Sequence, residues 1–155
     1  MPLKVTILGS GSSGGVPRIG GPDGRGDWGA CDPSNPRNRR RRCSILVDNG
    51  DSSVLVDCSP DMREQLLDAR VIRLDAVFIS HDHADQSHGI DDLRMIAQNM
   101  RRRVDVYAAR ETLDVLEDRF GYCFRSSSNG AYPAILNAHE IRRPFSPISV
   151  GMASC

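Results

Sequence analysis

The chain has 155 residues, 20 basic and 20 acidic side chains, and no net charge, so it has no overall electrostatic attraction for nucleic acid or an anionic membrane. Its length suffices for one hydrophobic core, and no apolar run approaches the roughly 20 residues that a spanning helix needs. The start, Met1-Pro2-Leu3-Lys4-Val5-Thr6-Ile7-Leu8-Gly9, turns polar too soon for a secretory signal. The five cysteines, Cys31, Cys43, Cys58, Cys123 and Cys155, are scattered, odd in number and without a C-x-x-C. They read as reduced thiols of a soluble cytoplasmic protein.

Residues 4–8 form a first strand that runs into Gly9-Ser10-Gly11-Ser12-Ser13-Gly14. This matches the G-x-G-x-x-G dinucleotide pattern, but the pattern requires a helix next, and Gly15-Val16-Pro17-Arg18-Ile19-Gly20-Gly21-Pro22 supplies none. A dinucleotide site is therefore excluded. The irregular stretch continues to Arg42, and irregular stretches of that length are usually functional or disordered. Its arginines, Arg37 and Arg39 to Arg42, carry the fork that matches phosphate oxygens, although an arginine run is also compatible with a solvated face. Cys31 alone cannot make a four-ligand structural zinc site.

Residues 43–48 and 53–57 read as a hairpin around Asn49-Gly50-Asp51, because Asn-Gly is the strongest short hairpin signal. Ser59-Pro60 supplies an N-cap and a first-turn proline for a helix to about residue 69. Residues 74–80 have the β-branched and aromatic content of a buried strand. A helix follows over about residues 90–102, with Ile90, Leu93, Ile96, Ala97 and Met100 at helical spacing, and Asp91 and Asp92 suit its N-terminal dipole. A strand at 104–108, a helix near 112–120 and a strand at 134–141 complete an α/β (α+β) alternation. His139, in the last strand, has no ligand-type neighbour in sequence and reads as an ordinary strand-end histidine.

The densest chemistry lies after the strand at 74–80. In His81-Asp82-His83-Ala84-Asp85 two imidazoles and a carboxylate occupy alternate positions. A loop that curls at a strand's carboxyl end can bring such side chains onto one ion, as neutral nitrogen and carboxylate ligands suited to zinc or manganese. A solvated polar loop is the plainer alternative for one isolated histidine. Two histidines and an aspartate in five residues, followed by His88 and Gly89, favour the metal.

Residues 74–94, centred on Ser80-His81-Asp82-His83-Ala84-Asp85-Gln86-Ser87-His88-Gly89-Ile90-Asp91-Asp92-Leu93-Arg94, resemble the metal loop and following helix of the metallo-β-lactamase superfamily. Ile7-Leu8-Gly9-Ser10-Gly11-Ser12-Ser13-Gly14-Gly15-Val16-Pro17, Asn35-Pro36-Arg37-Asn38-Arg39-Arg40 and Leu55-Val56-Asp57-Cys58-Ser59-Pro60-Asp61 agree with it. Within the superfamily the chain is most similar to the branch of phosphoribosyl 1,2-cyclic phosphate phosphodiesterase and the ribonuclease Z relatives. The resemblance implies the first half of an αββα sandwich over residues 1–145, followed by an irregular tail at 146–155 that reads as a truncated or frame-shifted end. It implies His81, His83 and Asp85 as metal ligands, with Asp85 also the candidate catalytic residue. Asp57, Gln86 and His88 are the candidate outer partners or weak ligands, and Ser12, Ser13, Arg39 and Arg40 the candidate phosphate-binding residues.

The family pattern is His-x-His-x-Asp-His, and Gln86 stands at its last position. A carboxamide oxygen is a weak, neutral ligand better suited to hard cations than to zinc, so the second metal site is empty, manganese-like or completed by His88. His88 falls two residues further on, at the start of a helix, which disfavours that rescue. The family's later ligands have no counterpart among this chain's four histidines.

The implied activity is hydrolysis of a phosphodiester, cyclic or nucleotide-like, impaired in so short a chain. The alternative is a non-catalytic metal-binding fragment that needs a partner or a second half. An RNA-binding module on the arginine run is a weaker third reading, since it lacks the aromatic residues of a single-strand reader. An uncovered sheet face, and with it a homo-oligomer, is a further expectation.

Overall fold

The computed structural model describes residues 2–128, 130–145 and 147–150. Six strands, β1 (Lys4–Gly9), β2 (Ser44–Asp48), β3 (Ser53–Val56), β4 (Ala76–Phe78), β5 (Val104–Ala108) and β6 (Leu136–Glu140), lie side by side in chain order. β1 pairs with β2 and β2 with β3 antiparallel, while β3 through β6 pair parallel. Two reversals restore the direction of β1, so β1, β3, β4, β5 and β6 all end at the same edge of the sheet. The glycine loop after β1 and the histidine loop after β4 therefore lie at the same rim. The β2–β3 turn closes as its Asn-Gly dipeptide predicts: Asn49 Oδ1 accepts from the amides of Asp51 and Ser52 at 3.0 and 2.7 Å, and Gly50 takes a φ of 90°.

Parallel strands need crossover connections, and helices supply them. These are α1 (Met62–Asp68), α2 (Ala84–Ser87), α3 (Leu93–Met100), α4 (Arg110–Arg119) and α5 (Gly121–Phe124). Leu46, Leu55, Val77, Val106 and Leu136 of the sheet join Met62, Leu66, Leu93, Ile96, Leu113 and Leu116 of the helices in one core. Each fully buried leucine among them contributes about 1.5–3 kcal/mol relative to exposure.

The opposite sheet face carries a row set by the strand register: Ile7, Ile45, Val56, Phe78, Tyr107 and His139, each opposite the next. Phe78 stacks on Tyr107 at 5.2 Å between ring centroids, and Tyr107 on His139 at 4.7 Å. Ile7 is 70% exposed, and the rest of the row is partly exposed.

Several boundaries differ from the sequence expectation. The strand expected at 74–80 is regular only over Ala76–Phe78, though the Asp75 amide to Ser53 O (2.8 Å) and the Ile79 amide to Tyr107 O (2.9 Å) prolong its ladder. The helix expected from residue 90 begins as a 3-10 turn, Ile90–Asp92. It stops at Met100 because Arg101 turns left-handed with φ 54°. α1 starts at Met62, after Ser59 Oγ has accepted the Asp61 amide at 3.1 Å. The short helices α2 and α5 had no sequence signature. Residues 147–150 carry no regular secondary structure, and Ser146 and 151–155 lie outside the described residues, as does most of the expected tail.

The arginine run is anchored where it enters β2. Asp61 takes the Arg42 amide at 2.8 Å and its guanidinium at 2.9 and 2.6 Å. Burial alone would raise the Asp61 carboxyl, but the hydrogen bonds and charge of Arg42 outweigh it and hold the group below its ordinary value. A carboxyl depressed on folding stabilises above its unfolded pKa, near 3.8, and loses that contribution as pH falls through the folded value. Acid unfolding of the parent should therefore begin at lower pH than that of Arg42→Ala, as read by circular dichroism.

Candidate metal centre

β3 ends at Val56, and Asp57 follows with φ 64° while nine-tenths buried. Aspartate tolerates this left-handed conformation better than a branched residue would, and the turn points its carboxylate at the end of β4. There Asp57 Oδ1 accepts the Ser80 amide and the Ser80 hydroxyl, both at 2.8 Å, and Oδ2 lies 3.0 Å from the same hydroxyl. Ser80 Oγ is also 3.0 Å from His81 Nδ1. A serine has one proton and a carboxylate can only accept, so the Ser80 proton goes to Asp57 and His81 Nδ1 must donate to Ser80. His81 thus carries its ring proton on Nδ1, leaving the Nε2 lone pair free.

The rings of His81 and His83 lie edge to face, 4.7 Å between centroids, and both residues are exposed. After them the chain coils into α2. The Gln86 amide reaches His83 O at 3.0 Å, and Ser87 Oγ donates to the same carbonyl at 2.8 Å. The far side of the loop is tied to the main chain beyond β3 by Cys58 N to Gln86 O (2.7 Å) and Gly89 N to Cys58 O (2.9 Å). At Gly89 the two backbones approach so closely that a Cβ would sit 2.1 Å from Ser59 O. Gly89→Ala must push the loop off its floor. It should lower stability by about 1–3 kcal/mol, the ordinary cost of overpacking, measurable by urea denaturation.

The other expected ligands do not join the pair. Asp85 Oδ2 accepts from Gln86 Nε2 at 2.9 Å. Gln86 is itself buried, and its Oε1 has no hydrogen-bond partner. His88 turns away: its ring packs edge-on against Phe120 at 5.4 Å, and its Nδ1 lies 3.2 Å from Ser87 Oγ. Among the described residues no group of three or more His, Cys, Asp or Glu side chains is arranged to hold a metal. Two imidazoles suit a divalent ion, but a catalytic site needs about three protein ligands. The donor set is therefore the beginning of a site. His139 does have a partner that its sequence neighbourhood did not reveal, since its Nε2 lies 2.8 Å from Asp105 Oδ1, which also accepts from Asn137 Nδ2 at 3.0 Å.

The candidate phosphate residues are divided. Arg39 and Arg40 line a hollow of about 230 Å³ with Gly14, Gly15 and Arg42. Arg40 Nη1 donates to Ser10 Oγ at 3.0 Å, and the Arg39 guanidinium lies over the Trp28 ring at 5.2 Å. Ser12 lines a separate hollow of about 160 Å³ with Arg18 and Trp28. Ser13 is exposed and lines neither. Arg41 and Arg42 pair with Asp68 and Asp61. Nothing in the sequence distinguishes Ser80 beyond its place before His81. A hydroxyl between a buried carboxylate and a ligand-type histidine is visible only once Asp57 is placed beside it.

A beta-lactamase superfamily domain matches residues 52–154, most of the chain. The chain belongs to the beta-lactamase superfamily. It is 36% identical over 149 residues to an octanoyltransferase of Porphyromonas gingivalis, a match covering 96% of this chain and 28% of that protein. It is 34% identical over 88 residues to a ribonuclease Z of a Bradyrhizobium species, covering 54% of this chain and 29% of that protein. Among solved structures, a diphosphatase of the PhnP family superposes with a TM-score of 0.74 at 35% identity, covering 90% of this chain and 52% of that one. Zinc-bound PqqB of Methylobacterium extorquens gives 0.59 at 24% identity, with 93% and 48% covered. The superfamily member described here thus spans about half the length of these structures and under a third of the curated relatives.

Proposed function

We propose that the chain is the metal-loop half of a metal-dependent hydrolase of phosphodiesters. On this reading its complete form acts on a cyclic phosphate or nucleotide-like substrate, and the chain alone holds a divalent ion loosely and turns over near background. The observation that carries the reading is the His81–His83 pair, 4.7 Å apart at the carboxyl rim of the sheet. Two similar proteins, named a diphosphatase and a ribonuclease Z, support it, since both names denote cleavage at phosphorus.

His81, through Nε2, and His83 would hold zinc or manganese, with Asp57 and Ser80 orienting the first ring. Such an ion supplies a water of lowered pKa and polarises a phosphoryl oxygen. Arg39 and Arg40 would hold phosphate oxygens beside the glycine loop, with Ser12 and Ser13 at its turn. Asp85 would supply a further carboxylate ligand, its Oδ2 held by the Gln86 amide, and Gln86 and His88 leave a second metal without an evident strong donor.

An acyl-transfer reading follows from the octanoyltransferase name, but that name describes a protein of which this chain matches 28%. The buried thiols do not favour it. Burial pushes Cys58 well above the ordinary thiol range and Cys123 up to about 11, the reverse of an activated nucleophile.

The test is hydrolysis of bis(p-nitrophenyl) phosphate with added manganese or zinc, for the parent and for His83→Ala. Both should match the buffer rate, while zinc shifts the His81 and His83 imidazole resonances in the parent only. Robust turnover lost in the variant would overturn the incomplete-site reading. Unmoved resonances would overturn the metal reading itself.

A further inference from the structure

The loop that carries His81 and His83 is held on its outer side by one helix end. Arg119, the last residue of α4, donates through Nη1 to the main-chain oxygen of Asp82 at 2.7 Å, and its Nη2 lies 3.2 Å from Asp82 Oδ2. Asp82 is the residue between the two histidines, so fixing its carbonyl and its side chain together restricts the backbone torsions on both sides. Ser87 Oγ approaches the same carbonyl from within the loop at 3.2 Å. The next residue of the helix end, Phe120, meets the edge of the His88 ring at the loop's far end. Two successive side chains thus touch the loop at Asp82 and at His88. The helix that carries them is anchored by Leu113 and Leu116, both fully buried in the core.

From this geometry we infer that Arg119, backed by Phe120, is a positioning residue that holds the His81–His83 pair in ligand-ready register by gripping Asp82. The inference rests on the metal reading only for its functional consequence. An arginine fork suits this grip because it presents two donors at fixed spacing, whereas lysine offers a point charge that cannot span the carbonyl and the carboxylate together.

The test compares the parent, Arg119→Ala, Arg119→Lys and a control, Arg110→Ala, which removes an exposed arginine of the same helix that pairs with Asp114 and Glu140. Two readouts are taken on the full chain. Zinc is titrated while the His81 and His83 imidazole signals are followed by NMR. Hydrogen exchange is measured without metal at the amides of Gln86 and His88, which bond to His83 O and Ala84 O, both at 3.0 Å.

Groups bonded directly to a ligand are worth about 10- to 100-fold in metal affinity; Arg119 acts one residue removed, through Asp82, so Arg119→Ala should raise the zinc Kd several-fold, up to about tenfold. Arg119→Lys should fall between it and the parent, and Arg110→Ala should match the parent. Amide protection in α2 should follow the same order. Equal protection and equal Kd in the parent and Arg119→Ala would overturn the inference. If zinc moves no signal in the parent, the metal reading fails by itself, and amide protection alone decides whether the grip exists.

Discussion

Asp57→Asn is expected to move the ring proton of His81 from Nδ1 to Nε2 and to weaken zinc binding by about 10- to 100-fold. In the parent the Ser80 hydroxyl donates its hydrogen bond to the Asp57 carboxylate, so His81 Nδ1 donates to Ser80 Oγ. An asparagine at 57 keeps the left-handed backbone within reach. With its carbonyl oxygen on the Ser80 amide, it turns its NH2 toward the Ser80 hydroxyl. That hydroxyl, now facing a donor at the Oδ2 position, is expected to accept from residue 57 and to turn its own proton to His81 Nδ1, which holds the ring proton at Nε2 and removes the lone pair the ion requires. The shape of the site is nearly unchanged, so the effect is electronic. Nitrogen-15 chemical shifts of the imidazole report the tautomer directly, and zinc titration reports its consequence. A variant that kept the Nδ1–H form and the parental affinity would show that Ser80 does not relay the orientation of Asp57.

The second large effect is expected in solution behaviour. The face bearing Ile7, Ile45, Val56, Phe78 and Tyr107 is opposite the helices, and its strand β1 lies at the sheet edge with Val5 57% and Ile7 70% exposed. Contiguous apolar surface of this kind associates in water, and an edge strand whose one charged residue, Lys4, stands at its start adds unpaired backbone groups along the rest of its length. Light scattering across a dilution series should therefore give a mass above the monomer's that falls on dilution. Ile7→Lys should return the chain toward monomer with little loss of stability, because the position is mostly exposed and lysine is a common guard of edge strands. A parent that scatters as a monomer at every concentration, with a cooperative melt, would contradict this expectation.

Much of the architecture was legible in the sequence because it depends on neighbours in the chain. The Asn49-Gly50 dipeptide marked the β2–β3 hairpin, the apolar spacing of Leu93, Ile96 and Ala97 marked α3, and the alternation of strands and helices after residue 59 was readable along the chain. His81 and His83 were legible for the same reason, since their spacing at a strand's end is local. The sequence by itself therefore determined the superfamily, the succession of strands and helices along the chain, and the pair of imidazoles. What surrounds those imidazoles depends on residues far apart in the chain, and only the tertiary structure decided it. Asp57 reaches Ser80 across 23 positions and Arg119 reaches Asp82 across 37. His139 finds Asp105 across 34, on a neighbouring strand. The local pattern likewise offered Asp85 as a third ligand, and only the fold shows that its Oδ2 accepts from the neighbouring Gln86 amide. Local composition fixes backbone preferences, but which donor meets which acceptor is settled by the register of a mixed sheet and the docking of its helices, and neither leaves a periodic trace in the sequence.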